Sequence, residues 1–380
     1  MNFRRAAILA MALLLLPLLS SCVRVFNPVG WAPVAFDGES VYVVTSKGHL
    51  SSLKLQSDDT AAAAWTFPDR SRSEDKKLDL KAIYGAPVVD GDRIYLASFH
   101  GGVFALRKDD GRPIWPASGD NASRLDGDIP GGVALAGDNL YFGTTEGHVY
   151  GWQKSDGTPA AGWEKPKVLD GGVWATPVVV GDTLFVATMK GDLHALSLSD
   201  GSEKWKFSAS GAIADLAKLS DDYLFVPSIN HHLYVIRTSD GSVAGDFRAA
   251  DWIWTAPAIS GTKVFFGDFG GQVYGLDITS GAANPLWPKP ASLKGERVKA
   301  GAAILDDVLV VADRKPVVTF INASDGSVLN SVPLTDGDTV RADVIANNGS
   351  AYVVTTDGKL FRADPAQKRV VEVSISGVKK

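Results

Sequence analysis

Two sets of side chains in this 380-residue sequence have the types and spacing to do chemistry. The first is a single thiol. Cys22 is the only cysteine, so the chain can form no intrachain disulfide or vicinal cysteine pair, and it cannot build a multi-cysteine metal site. Its position, twenty-two residues from the start, suggests another use. The second set is aromatic and cationic: Trp31, Tyr84, Trp174, Trp254, Lys299 and Arg341 recur at one position of an internal repeat. Flat rings beside two cations suit an anionic or aromatic ligand, or an extended peptide passing over them. The alternative is that the rings pack beneath neighbouring loops, while Lys299 and Arg341 are solvated or pair with Asp215 and Asp343.

Other combinations carry less. His49, His148 and His232 share a repeat position, but in units one, three and five, which point to different sides of a ring, so no metal site is expected. Asp126-Gly-Asp128 and Asp336-Gly-Asp338 do not continue into the twelve-residue calcium-loop pattern that ends in glutamate. The Gly-Gly pairs match no dinucleotide fingerprint.

Cys22 is positioned by what precedes it. Arg4 and Arg5 lead into an apolar run from Ala6 to Leu19, too short to span a bilayer and of the length of a secretory h-region. Leu19-Ser20-Ser21-Cys22 then resembles a bacterial lipobox, whose cysteine thiol receives a lipid; the alternatives are an ordinary signal with a chance cysteine, or an uncleaved anchor. Residues 1–21 are therefore expected to be a lipoprotein signal peptide, 22–30 a lipidated N-terminus and short linker, and 31–376 the folded domain. Cleavage removes two arginines and leaves 36 basic against 43 acidic residues. With no basic run in this acidic chain, nucleic acid is excluded as a partner.

Periodicity organises the rest. The stretch from Thr176 to Trp205 holds four short β-prone runs separated by Gly-Asp, Lys-Gly-Asp and Ser-Asp-Gly turns, the pattern of a four-stranded meander. Anchoring on the aromatic or apolar residue of the second run gives Tyr42, Tyr95, Tyr141, Phe185, Phe225, Phe265, Val310 and Tyr352, spaced by 40 to 53 residues. Strands alone at that period predict an all-β fold, an eight-bladed β-propeller of four-stranded antiparallel blades. Eleven residues before the anchors lie Trp31, Tyr84, Pro130, Trp174, Ala214, Trp254, Lys299 and Arg341, a ring on the axis. The next position is small in seven units of eight, as convergence of the innermost strands requires. The charged stretch Pro68 to Ile83 reads as a solvated loop, with partner binding as its functional alternative. Both end units contain four strands, so closure by blade packing is expected, against a swapped strand from Val23 to Phe26.

Ala105 to Trp115, Ala195 to Trp205 and Gly275 to Gly281 with Trp287 resemble the tryptophan-docking repeat of pyrroloquinoline-quinone (PQQ) type propellers. Within that superfamily the chain resembles the BamB-like lipoproteins of outer-membrane β-barrel assembly. The resemblance implies a non-catalytic envelope scaffold without cofactor, a monomer or a subunit of a hetero-complex. Its partners would be envelope or membrane proteins, and Cys22 would anchor it to the periplasmic face of the outer membrane or the outer face of the cell membrane. Val23 stands where inner-membrane lipoproteins usually carry aspartate. The alternatives are a PQQ-dependent quinoprotein dehydrogenase, whose vicinal disulfide this chain cannot form, and an extracellular ligand-binding or sensing propeller.

Overall fold

A computed structural model describes residues 29–377 except 74, 77, 79, 101, 117–124, 295 and 335–338. Cys22, the stretch Val23 to Phe26 and Asp336-Gly-Asp338 lie outside the described residues.

The described chain is all-β, and its strands form eight antiparallel meanders arranged as an eight-bladed propeller. Blade four shows the pattern. Val178–Val180 is innermost, Thr183–Ala187 and Asp192–Ser197 follow, and Glu203–Ser208 is outermost. Burial changes across the blade. Every residue of Thr183–Ala187 is buried, because neighbouring blades cover both faces, and its sequence is accordingly a run of apolar residues without alternation. Glu203–Ser208 alternates half-buried with exposed residues, as an edge strand does. At the tip between strands one and two, Gly91, Gly137, Gly181 and Gly261 have positive φ, and a Cβ on any of them would meet nothing within 4 Å. Glycine is needed there for its backbone conformation alone.

The apolar interior divides into eight clusters among the described residues, one at each interface between adjacent blades. In five blades a tryptophan reaches across such an interface. The indole N–H groups of Trp65, Trp115, Trp163, Trp205 and Trp287 donate to the carbonyls of Lys108, Lys154, Leu198, Thr238 and Ala323 on the following blade, at 2.8 to 3.1 Å. Each indole also lies against the second-strand aromatic of its own blade, with ring centroids 5.2 to 6.2 Å apart. The aromatic anchors that revealed the period are thus the inner wall of the tryptophan pockets. Trp163 and Trp287 sit just outside regular strands, because the fourth strand of their blades is broken.

Two readings of the sequence are corrected. The stretch Pro68 to Ile83 is not simply a solvated loop. Leu78, Leu80, Ala82 and Ile83 are buried, three of them in the cluster between blades one and two, and buried Asp75 accepts the Asp69 N–H at 2.8 Å. Closure is also more than packing. A cluster joins blade eight to blade one, and beyond it the C-terminal strand Ser374–Ser376 lies parallel to the outer strand Thr60–Phe67 of blade one, Ile375 opposite Ala61. Arg362 of blade eight binds Asp59 of blade one through its Nε at the same seam.

Candidate functional site

The chain leads into each innermost strand at the axis, and all eight positions counted eleven residues before the anchors line one cavity of about 460 Å³. Trp31, Tyr84, Trp174, Trp254, Lys299 and Arg341 are therefore brought together, with Pro130 and Ala214 completing the ring. The small residues that follow allow this convergence. At Gly131 a Cβ would lie 2.9 Å from the Trp174 carbonyl oxygen, and at Gly85 it would lie 2.2 Å from the backbone of Gly132.

The cations lie on the aromatic rings rather than on the carboxylates. Among the described residues neither Lys299 nor Arg341 makes an ion pair with Asp215 or Asp343. Lys299 Nζ lies between two indoles, 5.0 Å from the centroids of both Trp31 and Trp254, and the Arg341 guanidinium lies 5.2 Å from the Trp31 ring. Indole faces hold cations through the ring quadrupole. Burial, with the charges of Arg341 and Arg314 nearby, pushes the Lys299 ammonium below its ordinary range. Trp31 leans on Tyr84 at 4.3 Å, and burial pushes the Tyr84 phenol up to about 12.

Asp215 and Asp343 are turned to the backbone. Asp215 accepts the N–H of Leu216 at 2.8 Å and of Ala256, on blade six, at 2.7 Å. Asp343 accepts the N–H of Gly301 on blade seven. Thr176 does the same for Gly132 at 2.8 Å. These side chains tie the inner rims of adjacent blades together. Burial, reinforced by the charge of Asp343, raises the Asp215 carboxyl to about 7, and burial raises Asp343 as well.

A second ring escaped the sequence reading. Fifteen residues after each axial position stand Ser46, Phe99, Thr145, Met189, Ile229, Phe269, Arg314 and Thr356. In seven blades the N–H at this position donates to the carbonyl two residues before the axial residue, as Phe99 does to Ala82, Phe269 to Trp252 and Arg314 to Arg297. That bond lays the turn between strands two and three against the rim of the cavity. It places Phe99 against Tyr84 at 5.4 Å and Phe269 against both Trp252 and Trp254 at 5.9 Å. The periodicity that located the axial ring would have located this one, four residues after each anchor.

His49, His148 and His232 sit in separate blades. His148 lies 3.7 Å from Asp126 and His232 lies 2.7 Å from Asp246. No group of three or more His, Cys, Asp or Glu among the described residues is placed to hold a metal ion. Among the described residues no glutamate or asparagine lines the cavity, and its two carboxylates, Asp215 and Asp343, accept main-chain N–H groups.

Eight meander blades, indoles docked across their seams and an axial funnel define a tryptophan-docking propeller of the PQQ-like repeat class. The chain belongs to the family described as outer membrane protein assembly factor BamB, whose pattern matches residues 31–161, 158–282 and 283–371. Over 104 residues it is 35% identical to outer membrane protein assembly factor BamB of Xanthomonas campestris pv. campestris. That match takes in 27% of this chain and 24% of the relative, about a quarter of its length. Among solved structures, BamB from Moraxella catarrhalis superposes with a TM-score of 0.70 at 16% identity, over 87% of this chain and 95% of that one. The C-terminal WD40 domain of Sif2 superposes at 0.67 with 13% identity, over 92% and 96%. The computationally designed protein Ika8 superposes at 0.66 with 14% identity, over 88% and 95%. Similarity of this kind is similarity of fold.

Proposed function

We propose that this protein is an exported, lipid-anchored, non-catalytic scaffold that serves the assembly of outer-membrane β-barrel proteins. The observation that carries the reading is the family pattern, which runs through all eight blades rather than a few repeats. The N-terminal sequence supports the rest. Residues 1–21 serve as the signal, Cys22 takes the lipid, residues 22–30 tether the propeller of 31–376, and the molecule faces the periplasm from the outer membrane. Diacylation of one cysteine holds a protein to a bilayer far better than one chain does. No helix among the described residues is long and apolar enough to cross a membrane.

A scaffold needs exposed recognition surface, and the propeller offers outer strands such as Val243–Arg248 and Val328–Pro333, whose edges can accept a partner strand. We assign no cofactor. Incubation with PQQ and calcium should give no quinone-dependent dye reduction; turnover with alcohols or sugars would replace the scaffold reading by the dehydrogenase one. The direct test is crosslinking in native membranes followed by affinity recovery. Envelope proteins of the barrel-assembly apparatus should be recovered with the chain, and recovery of the chain alone would refute the proposal.

A further inference from the structure

The funnel face has an uneven charge. Elsewhere on the surface lysines and arginines meet carboxylates: Lys108 with Asp37 at 2.7 Å, Lys154 with Asp90 at 2.7 Å, Lys204 with Asp182 at 2.6 Å. On blades seven and eight Lys299 lies near the charges of Arg341 and Arg314, and the Arg314 N–H donates to the Arg297 carbonyl; among the described residues none of these four cations makes an ion pair. The acid beside them, Glu296, is taken by Lys315 at 2.7 Å, and Asp215 and Asp343 below are held by backbone N–H groups. In a chain with more acidic than basic residues, four cations without carboxylate partners on one face set up a local positive field that attracts an external counter-charge.

The same face exposes large rings. Trp252 is 45% and Trp174 37% exposed, and Arg297 lies 5.9 Å from the Phe269 ring, which itself touches Trp252 and Trp254. Trp252 and Arg297 stand outside the cavity, two residues before their axial positions. A small ligand confined to the cavity would leave them uncovered. An extended chain crossing the face would cover both.

We propose that the funnel face from blade six round to blade one is the docking site for an extended acidic segment of a partner protein. Its carboxylates lie on Arg297, Lys299, Arg314 and Arg341, and one of its apolar or aromatic side chains enters the cavity. Cations set on indoles are presented in fixed positions, which lowers the ordering cost of pairing with them. The proposal rests on the scaffold reading and names the face and the partner chemistry that reading lacks.

The test uses the purified protein and the end-blocked hexapeptide Glu-Phe-Glu-Phe-Glu-Phe, followed by tryptophan fluorescence and calorimetry. Saturable one-to-one binding is expected, weakened about tenfold or more by Lys299→Ala with Arg341→Ala, weakened by salt, and restored in part by Lys299→Arg with Arg341→Lys. Thermal melts of the variants at the wild-type midpoint show that the fold is intact. Absence of binding, or unchanged binding by the folded double alanine variant, overturns the proposal. So does equal binding of the Lys-Phe counterpart peptide. Equal affinity for free 3-phenylpropionate also overturns it, in favour of a small-anion pocket. Failure here leaves crosslinked recovery from native membranes unchanged, whereas failure of the scaffold reading appears as recovery of the chain alone.

Discussion

Gly111 has a φ of +68°, and a Cβ there would lie 2.4 Å from the Trp65 ring. Gly157, Gly241 and Gly326 meet Trp115, Trp205 and Trp287 in the same way, so in these four blades an Asp-Gly turn is the seat for the indole of the blade before it. Gly111→Ala should cost about 1–3 kcal/mol through overpacking and the strained φ, and Trp65→Ala about 3–5 kcal/mol. In a double-mutant cycle by chemical denaturation the Gly111→Ala penalty should shrink once Trp65 is removed, since only the backbone strain remains. Equal penalties in both backgrounds would mean that the two do not form one joint. Asp215 makes a prediction of the opposite kind. Its carboxyl is raised to about 7 in the fold against 3.8 for the free group, so the folded state binds the proton more tightly. Its contribution to stability is therefore complete below about pH 4 and is lost as pH rises through 7. Asp215→Asn should flatten that part of the pH profile. At the acid end it should also lower stability, because an amide sets its NH2 against one of the Leu216 and Ala256 N–H groups. Urea midpoints for both proteins between pH 4.5 and 8 would show it, and parallel profiles would refute it.

At the scale of elements, a blade is legible in sequence because it is local. Turn chemistry, apolar runs and the tryptophan position all fall within 40 to 53 residues, and each expected third strand is present, from Leu50–Leu55 to Leu360–Asp364. Strand four was less legible in blades three and six, where Trp163 and Trp287 satisfy the seam from outside a regular strand. Of the closure, the packing of blade eight on blade one was legible but the added strand was not, since Ser374–Ser376 pairs with residues more than three hundred positions earlier and three residues carry no period. Deleting residues 374–380 removes that parallel pairing and the partial burial of Ile375, and should cost about 2 kcal/mol or more. Arg362→Ala should weaken the same seam. Hydrogen exchange should then rise first in Thr60–Phe67 and in blade eight. A uniform rise around the ring would mean that the seam is no weaker than the other interfaces.

For the whole molecule, the predictions concern where it sits and what faces outward. Mass spectrometry of the membrane-extracted protein should find a chain beginning at Cys22 with a lipid adduct. Cys22→Ala should abolish both the adduct and cleavage at that point, and an unmodified mature N-terminus in the wild type would refute lipidation. The sequence by itself determined the number of blades, the class of repeat and the membership of the axial ring, because each follows from spacing along the chain. The tertiary structure alone decided which charges meet. Lys299 and Arg341 are close in ring order to Asp343, yet the carboxylates turn to backbone N–H groups of neighbouring blades and the cations to indoles. Those choices depend on the relative rotation of adjacent blades and on which main-chain groups they leave without partners at the rim. Such quantities arise only when eight separately encoded units are pressed into one disc.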